Sequence, residues 1–331
     1  MKAAFYTETG IASDVLRIGE VPTPEPGVGE IRVKLKYSGV NPSDVKSRGG
    51  TVARSAGLPL VIPHSDGAGV IDRVGDGVST DRLGERVWVF NGQWNRQYGT
   101  AAEFIVLPAQ QAVPLPGATS FEEGACLGIP ALTAWVAVHH AAHDVDSSTH
   151  TRVLVQGGAG AVGHYAIQFA RLRGAFVLAT VSSEEKAAYA KSAGADQVIN
   201  YRTEDVAAQV KALTEDHGVD AVIEVNFSAN LLPDLDVLAH GGKIVVYGAQ
   251  SDSATLPLRR LRGLNATLQF MRVYDIARVL RAQAIDSLTR HLAQGDLRHQ
   301  IAQVYPLDRI ADAHDAVDSG SAIGNVLIAL D

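Results

Sequence analysis

The chain has 331 residues, 46% of them hydrophobic and 20% charged, with one cysteine and a formal net charge of −7. At about 150 residues per domain this suits two folded domains rather than one, and mild acidity without a Lys/Arg cluster argues against nucleic acid or an anionic membrane as a partner. The lone Cys126 excludes an internal disulfide and any multi-cysteine zinc or iron–sulfur site.

The opening MKAAFYTETG enters a strand-like run without the apolar core and cleavage site of a secretory signal. No apolar run approaches the roughly 20 residues that span a bilayer, so the expectation is a soluble, cytoplasmic protein. Up to about residue 118 the texture is β-rich, with short runs at 31–37, 69–74, 86–90 and 101–107 between Gly, Pro and Asn/Asp punctuation, which predicts an irregular β-barrel. Helical segments follow at 120–127 and 131–142. From 151 onward apolar strands (152–155, 176–180, 197–199, 220–224, 243–247) alternate with helical runs (162–172, 184–192, 206–213, 231–239), the rhythm of a parallel sheet with helices on both faces. Near residue 260 that rhythm ends; a strand-like run at 266–270, two helical stretches and a strand at 325–330 follow, the last returning to the first domain.

The strand 152–156 leads into Gly157-Gly-Ala-Gly-Ala-Val-Gly163 and then a helix, so Gly158, Gly160 and Gly163 satisfy G-x-G-x-x-G in the strand-to-helix setting that a dinucleotide fingerprint needs. The first glycine permits the turn, the second admits a pyrophosphate, and the third lets helix pack on strand. The helix start at Ala161, Val162 and Gly163 then offers N–H groups and partial positive charge to the phosphates. Folds that recognise the ribose 2′-hydroxyl of NAD place Asp or Glu at the end of the second strand. Here that end reads Thr180-Val-Ser182-Ser183, and with Lys186 and Tyr201 it offers hydroxyls and a cation to a 2′-phosphate, which favours NADPH. The same Ser182–Glu185 stretch also reads as a helix cap.

Five ordered motifs run along nearly the whole chain: Ser38-Gly-Val-Asn-Pro-Ser-Asp44, His64-Ser-Asp-Gly-Ala-Gly69, Gly128-Ile-Pro-Ala-Leu-Thr-Ala134, the glycine turn, and Ala239-His-Gly-Gly-Lys-Ile-Val-Val-Tyr-Gly248. Together they resemble the zeta-crystallin-like quinone reductases of the medium-chain dehydrogenase/reductase superfamily. The resemblance implies an α/β fold: a Rossmann doubly wound parallel sheet over 123–261 and a GroES-like β-barrel catalytic domain from 1–122 and 262–331, with the nicotinamide in a cleft between them. It implies hydride transfer from NADPH to a small quinone or α,β-unsaturated carbonyl compound, and a homodimer formed near 266–270. Among site residues it implies Asn41, Asp44 and Arg272 as catalytic, Asn41 also at the nicotinamide, and Thr133, Thr180, Gly248, Phe270 and Asn325 with the glycine turn around the cofactor. Asp44 also reads as a helix cap, and Phe270 as a packing residue.

Zinc-dependent relatives carry Cys where this chain has Asn41, and Gly-His-Glu where it has His64-Ser65-Asp66, so the resemblance predicts no zinc. His139 and His143 share a helical spacing but lack a third ligand. Lys46 and Val52 stand where some bacterial members have pocket tyrosines, and Gly320 where some have a phosphate-binding arginine. Two alternatives stay open. An enoyl-thioester reductase of the same superfamily shares the Asn41–Asp44 run, but Thr51-Val52-Ala53 supplies no tyrosine acid. A non-catalytic dinucleotide-binding protein, structural or RNA-binding, would also carry this fold.

Overall fold

The computed structural model describes residues 1–52, 57–142 and 151–330. His143 and Ala53, singled out in the sequence, lie outside the described residues. In chain order the strands are β1 (Lys2–Phe5), β2 (Arg17–Glu20), β3 (Glu30–Val40), β4 (Asp66–Val74), β5 (Arg86–Val89), β6 (Phe104–Pro108), β7 (Ala112–Pro114), β8 (Arg152–Val155), β9 (Phe176–Val181), β10 (Gln197–Asn200), β11 (Val219–Glu224), β12 (Leu238–Val246), β13 (Thr267–Phe270), β14 (Ile301–Pro306) and β15 (Asn325–Ala329). They fall into two units, Met1–Pro130 with Ile285–Asp331, and Ala131–Ala284.

The first unit is built on a sheet of order β14-β15-β3-β4-β5-β7, with β6 also pairing β3 and a separate β1-β2 pair. Alternate residues of β3, Ile31, Val33 and Leu35, are fully buried and meet Ile71, Val87 and Ile105 in one core, as the two-residue period of a strand requires. The expected return of the chain is present: β15 pairs antiparallel with β3, Val326 opposite Val40.

The second unit is a six-stranded sheet of order β10-β9-β8-β11-β12-β13, every neighbouring pair parallel. Both of its faces are covered, which is why β8, β9 and β11 read as apolar runs and not as alternation. The order reverses at β8, flanked by β9 and β11, and the crevice at such a switch point is where this class of sheet receives its ligand.

The unit boundaries fall at Pro130/Ala131 and Ala284/Ile285, not at 122/123 and 261/262. Two physical facts move them. Pro130 lies inside a wide π-type turn, Leu127–Ala131, that ends the first unit. The 266–270 run does not leave the parallel sheet: as β13 it pairs with β12, Val246 opposite Phe270, and extends it. The strand predicted at 243–247 starts earlier, at Leu238, because Leu238 pairs with Val219 before a register shift carries Lys243 to Ala221. Among the described residues no helix is long and apolar enough to cross a membrane.

Candidate dinucleotide and substrate sites

The glycine turn follows β8 and is held from β9. Gly157 carries the left-handed backbone angle of the turn, φ 70°, a role the sequence pattern assigned to Gly158. Gly158 is a packing position instead: a Cβ there would meet that of Ala179 at 2.8 Å and Ile167 Cδ1 at 3.0 Å. At Gly163 a Cβ would lie 2.2 Å from the Gly157 carbonyl oxygen, so helix and turn approach as closely as backbone allows. Gly160 differs, for it is exposed and the nearest atom to a Cβ is 3.4 Å away. It is the N-cap of the helix Ala161–Leu172, and among the described residues no side chain caps that helix. The N–H groups of Ala161, Val162 and Gly163 are thus left for an anion at the positive end of the helix.

At the ends of β9 and β10 the residues expected around a 2′-phosphate converge. Asn200 pairs with Val181, and the Tyr201 N–H donates to the Val181 carbonyl at 3.1 Å, which brings Tyr201 alongside Ser182. Tyr201 is half exposed, and Ser182, Ser183 and Lys186 are partly exposed. Ser183 is the N-cap of the helix Glu184–Ser192, its hydroxyl accepting from the Lys186 N–H at 3.2 Å, so the capping and ligand readings fall on one residue. Thr180, expected around the cofactor, is 1% exposed; its hydroxyl accepts from the Gly157 N–H at 3.1 Å and donates to Gln156 Oε1 at 2.6 Å, so it braces the turn. Gly248 likewise packs on β11, where a Cβ would sit 2.3 Å from the Val225 carbonyl oxygen. Thr133 is buried in the first turn of the helix Leu132–Ala142. Phe270 ends β13 exposed, its ring edge on Phe227 at 5.2 Å. Arg272, exposed just beyond, is ion-paired with Asp275.

In the first unit Asn41 is buried between β3 and the helix Pro42–Arg48, which it caps, with Pro42 at the first helical position. Its Nδ2 donates to Asp66 Oδ2 at 2.8 Å, and the Ile129 N–H donates to the same oxygen at 2.8 Å. A carboxylate only accepts, so Asp66 fixes which way the Asn41 amide points. Asp44, expected as catalytic, is 1% exposed, and its Oδ2 accepts from the Asn41 N–H at 2.9 Å, which orients the backbone of Asn41. Asn325, expected around the cofactor, is buried with both its N–H and its Nδ2 on the Gln300 carbonyl at 2.8 Å.

Beneath Asn41 lies a polar chain that the sequence did not reveal. Ser38 Oγ is 2.8 Å from both His64 Nδ1 and Thr100 Oγ1, and His64 Nε2 is 2.9 Å from His314 Nε2. His64 holds a left-handed backbone, φ 76°, and burial, with His64 beside it, pushes His314 well below the ordinary imidazole value. The signal was two histidines 250 residues apart, too distant to pair by eye. Among the described residues no three His, Cys, Asp or Glu side chains gather where they could hold a metal. The Ser65 hydroxyl is fully buried there without a hydrogen-bond partner among the described residues.

A Rossmann sheet with a phosphate-ready turn at its switch point, joined to a β-domain assembled from both ends of the chain, defines a medium-chain dehydrogenase/reductase, a class of oxidoreductases. Residues 27–117 match the alcohol dehydrogenase GroES-like domain and residues 161–290 the zinc-binding dehydrogenase domain. Across its whole length the chain is 33% identical to the quinone oxidoreductase of Rattus norvegicus and covers 98% of that protein. Among solved structures it is similar to Escherichia coli quinone oxidoreductase complexed with NADPH, with a TM-score of 0.88 and 28% identity over 100% of both chains. It is also similar to an NAD-dependent alcohol dehydrogenase, with a TM-score of 0.91 and 30% identity over 100% of both chains. The chain belongs to the zeta-crystallin-like quinone oxidoreductases of this superfamily.

Proposed function

We propose that this protein reduces a small quinone or α,β-unsaturated carbonyl compound with NADPH and without a metal. The observation that carries the reading is the strand end at Ser182 and Ser183, where β9 ends without a carboxylate, Lys186 lies in the first turn of the helix that follows, and the Tyr201 backbone is held on Val181. A carboxylate there would repel a 2′-phosphate; a lysine and hydroxyls bind one. The uncapped helix at Gly160 fits the pyrophosphate of the same ligand.

When bound, the dinucleotide supplies a hydride, which a quinone accepts together with one proton from solvent. The chain's own part is orientation. Asn41, its amide set by Asp66 and its backbone by Asp44, presents a fixed polar group where the superfamily's zinc enzymes present a metal ligand. A quinone suits such a site because its reduced anion is delocalised and demands no strong acid. We also propose a cytoplasmic homodimer. Cys126 is a buried thiol suited to a reducing compartment, and β13 pairs on one side with β12 and ends in the exposed Phe270, leaving an edge for a second copy. Light scattering in solution tests the dimer.

The test of function is oxidation of NADPH and NADH in parallel against benzoquinones, enones and a crotonyl thioester, with metal analysis of the same sample. Quinone turnover with NADPH preferred, and Lys186→Ala lowering that preference about tenfold, is the expected result. Turnover of the thioester alone, oxidation of neither dinucleotide, or stoichiometric zinc would each overturn it.

A further inference from the structure

The second unit buries two carboxyl groups that the reading above does not use. Glu224, the last residue of β11, and Asp234, in the helix Phe227–Val237, are both 0% exposed and face each other. Glu224 is the better solvated of the two: its Oε1 accepts from the Asn226 N–H, and Asn230 Nδ2 reaches Oε1 at 3.0 Å and Oε2 at 3.3 Å. Asp234 has a single donor, Gln156 Nε2, at 2.8 Å to Oδ1. Its Oδ2 is completely buried with no donor among the described residues, where two unprotonated carboxylates would simply repel.

From Asp234 the hydrogen bonds run in one direction. Because Asp234 Oδ1 takes the Gln156 Nε2 hydrogen, Gln156 must turn its Oε1 the other way. That oxygen accepts the Thr180 hydroxyl hydrogen at 2.6 Å. The hydroxyl is then left with lone pairs only, and one of them receives the Gly157 N–H at 3.1 Å. Four side chains, each at most 8% exposed, thus end on the peptide that makes the left-handed turn of the phosphate loop.

We propose that Asp234 and Glu224 share one proton as a buried acid pair, and that Asp234, acting through Gln156 and Thr180, is a positioning residue for the dinucleotide turn. The proton sits on Asp234 and bridges to Glu224, whose charge is held by Asn226 and Asn230. Burial and the facing charge of Glu224 push Asp234 up to about 9, so the pair keeps its proton at neutral pH. The neighbouring elements bring Gln156 after β8, Thr180 from β9, the two asparagines of the helix itself, and the Tyr247 phenol after β12, which burial and Glu224 push up so that it stays neutral. The value on Asp234 is raised, so the intact pair persists below it and is lost as pH rises through it. Two facing carboxylates then part, Gln156 is released, and the turn loosens.

The inference rests on the reading that this turn binds a dinucleotide, and the test separates the two. NADPH dissociation constants are measured by fluorescence from pH 7.5 to 10 for the wild type, Asp234→Asn and Asp234→Ala. Hydrogen exchange of the Gly157 amide is followed in the ligand-free proteins at pH 7.5, with thermal unfolding to show that each is folded. The amide of Asp234→Asn reproduces a protonated acid, accepting from Gln156 and donating to Glu224 without a titration. The wild type should weaken about tenfold above pH 9, while Asp234→Asn stays within about twofold of the neutral wild type across the range. Asp234→Ala should bind about tenfold more weakly at pH 7.5 and exchange its Gly157 amide at least about fivefold faster. A rise in the dissociation constant of Asp234→Asn equal to that of the wild type would overturn the proposal. An Asp234→Ala protein with wild-type affinity and wild-type exchange would overturn it too. A wild type that binds neither NADPH nor NADH would overturn the functional reading, and the exchange experiment would still decide the relay.

Discussion

At the turn after β8 the groups on offer are backbone N–H groups, and their positions are fixed by the absence of side chains at Gly157, Gly158 and Gly163. Around Asn41 the means are reversed: a buried side-chain amide is fixed by Asp66 and its backbone by Asp44, with Ser38, His64 and His314 forming a further buried polar chain of the same unit. The first arrangement tolerates almost no added volume at Gly158 and Gly163, and none of its own groups titrates. The second tolerates changes of volume better than changes of charge, because its members are buried and hold one another by proton direction.

The sharpest way to break this contrast is Gly163→Ala. Its Cβ would lie 2.2 Å from backbone, so helix and turn must part, and we expect roughly 100-fold weaker NADPH binding with about 3 kcal/mol less stability, read by titration and denaturant unfolding. Unchanged affinity would mean that the turn is softer than its packing implies. Asn41→Asp tests the other region by charge alone. It sets a second buried carboxylate against Asp66 Oδ2, and about 3 kcal/mol should be lost at pH 7.5, with much of it recovered near pH 5 as one carboxyl takes a proton.

Gly160→Ala sharpens the comparison within the turn, since its Cβ meets nothing nearer than 3.4 Å. Stability should stay within about 0.5 kcal/mol while NADPH affinity drops about tenfold, because the methyl stands where a phosphate must approach. A parallel fall in stability would show that Gly160 serves the fold and not the ligand. The smallest effect concerns His314. Its folded value lies below the unfolded one, so the unfolded chain binds more protons once pH falls under about 6.5, and stability is lost as pH drops through that range. We expect about 1 kcal/mol lost between pH 6.5 and 5.5 by denaturant unfolding, and a flatter profile in His314→Asn.

How much of this the sequence displayed follows from the same contrast. A turn made of missing side chains leaves its record in consecutive letters, and four strands and three helices of the parallel-sheet unit are bounded to within a residue. What escaped was built across distance. Gln156 looks like the polar end of a strand until Asp234, 78 residues later, takes its amide hydrogen. Asp66 read only as a mismatch to a metal ligand, and its hold on Asn41 spans 25 residues. The boundary near 261 was misplaced because a change of rhythm was taken for a change of domain, although Thr267–Phe270 still had an unpaired edge of β12 to fill. Thr180 and Asn325 had the chemistry to touch a cofactor, but burial commits both to neighbours in their own unit.

The pairing of β15 with β3 has a bearing on how the protein is made. Every strand of the parallel sheet, through Phe270, emerges from the ribosome before β15 exists, whereas β3, synthesised near the beginning, waits for Val326 to reach Val40. The nucleotide-binding unit can therefore close while translation continues, and the other must keep one long apolar strand half-paired until the last residues arrive. During that interval the Tyr37–Val40 end of β3 is an open edge, since β6 covers only Glu30–Lys34, and a nascent chain stalled short of β15 would present it to whatever strand or chaperone comes by.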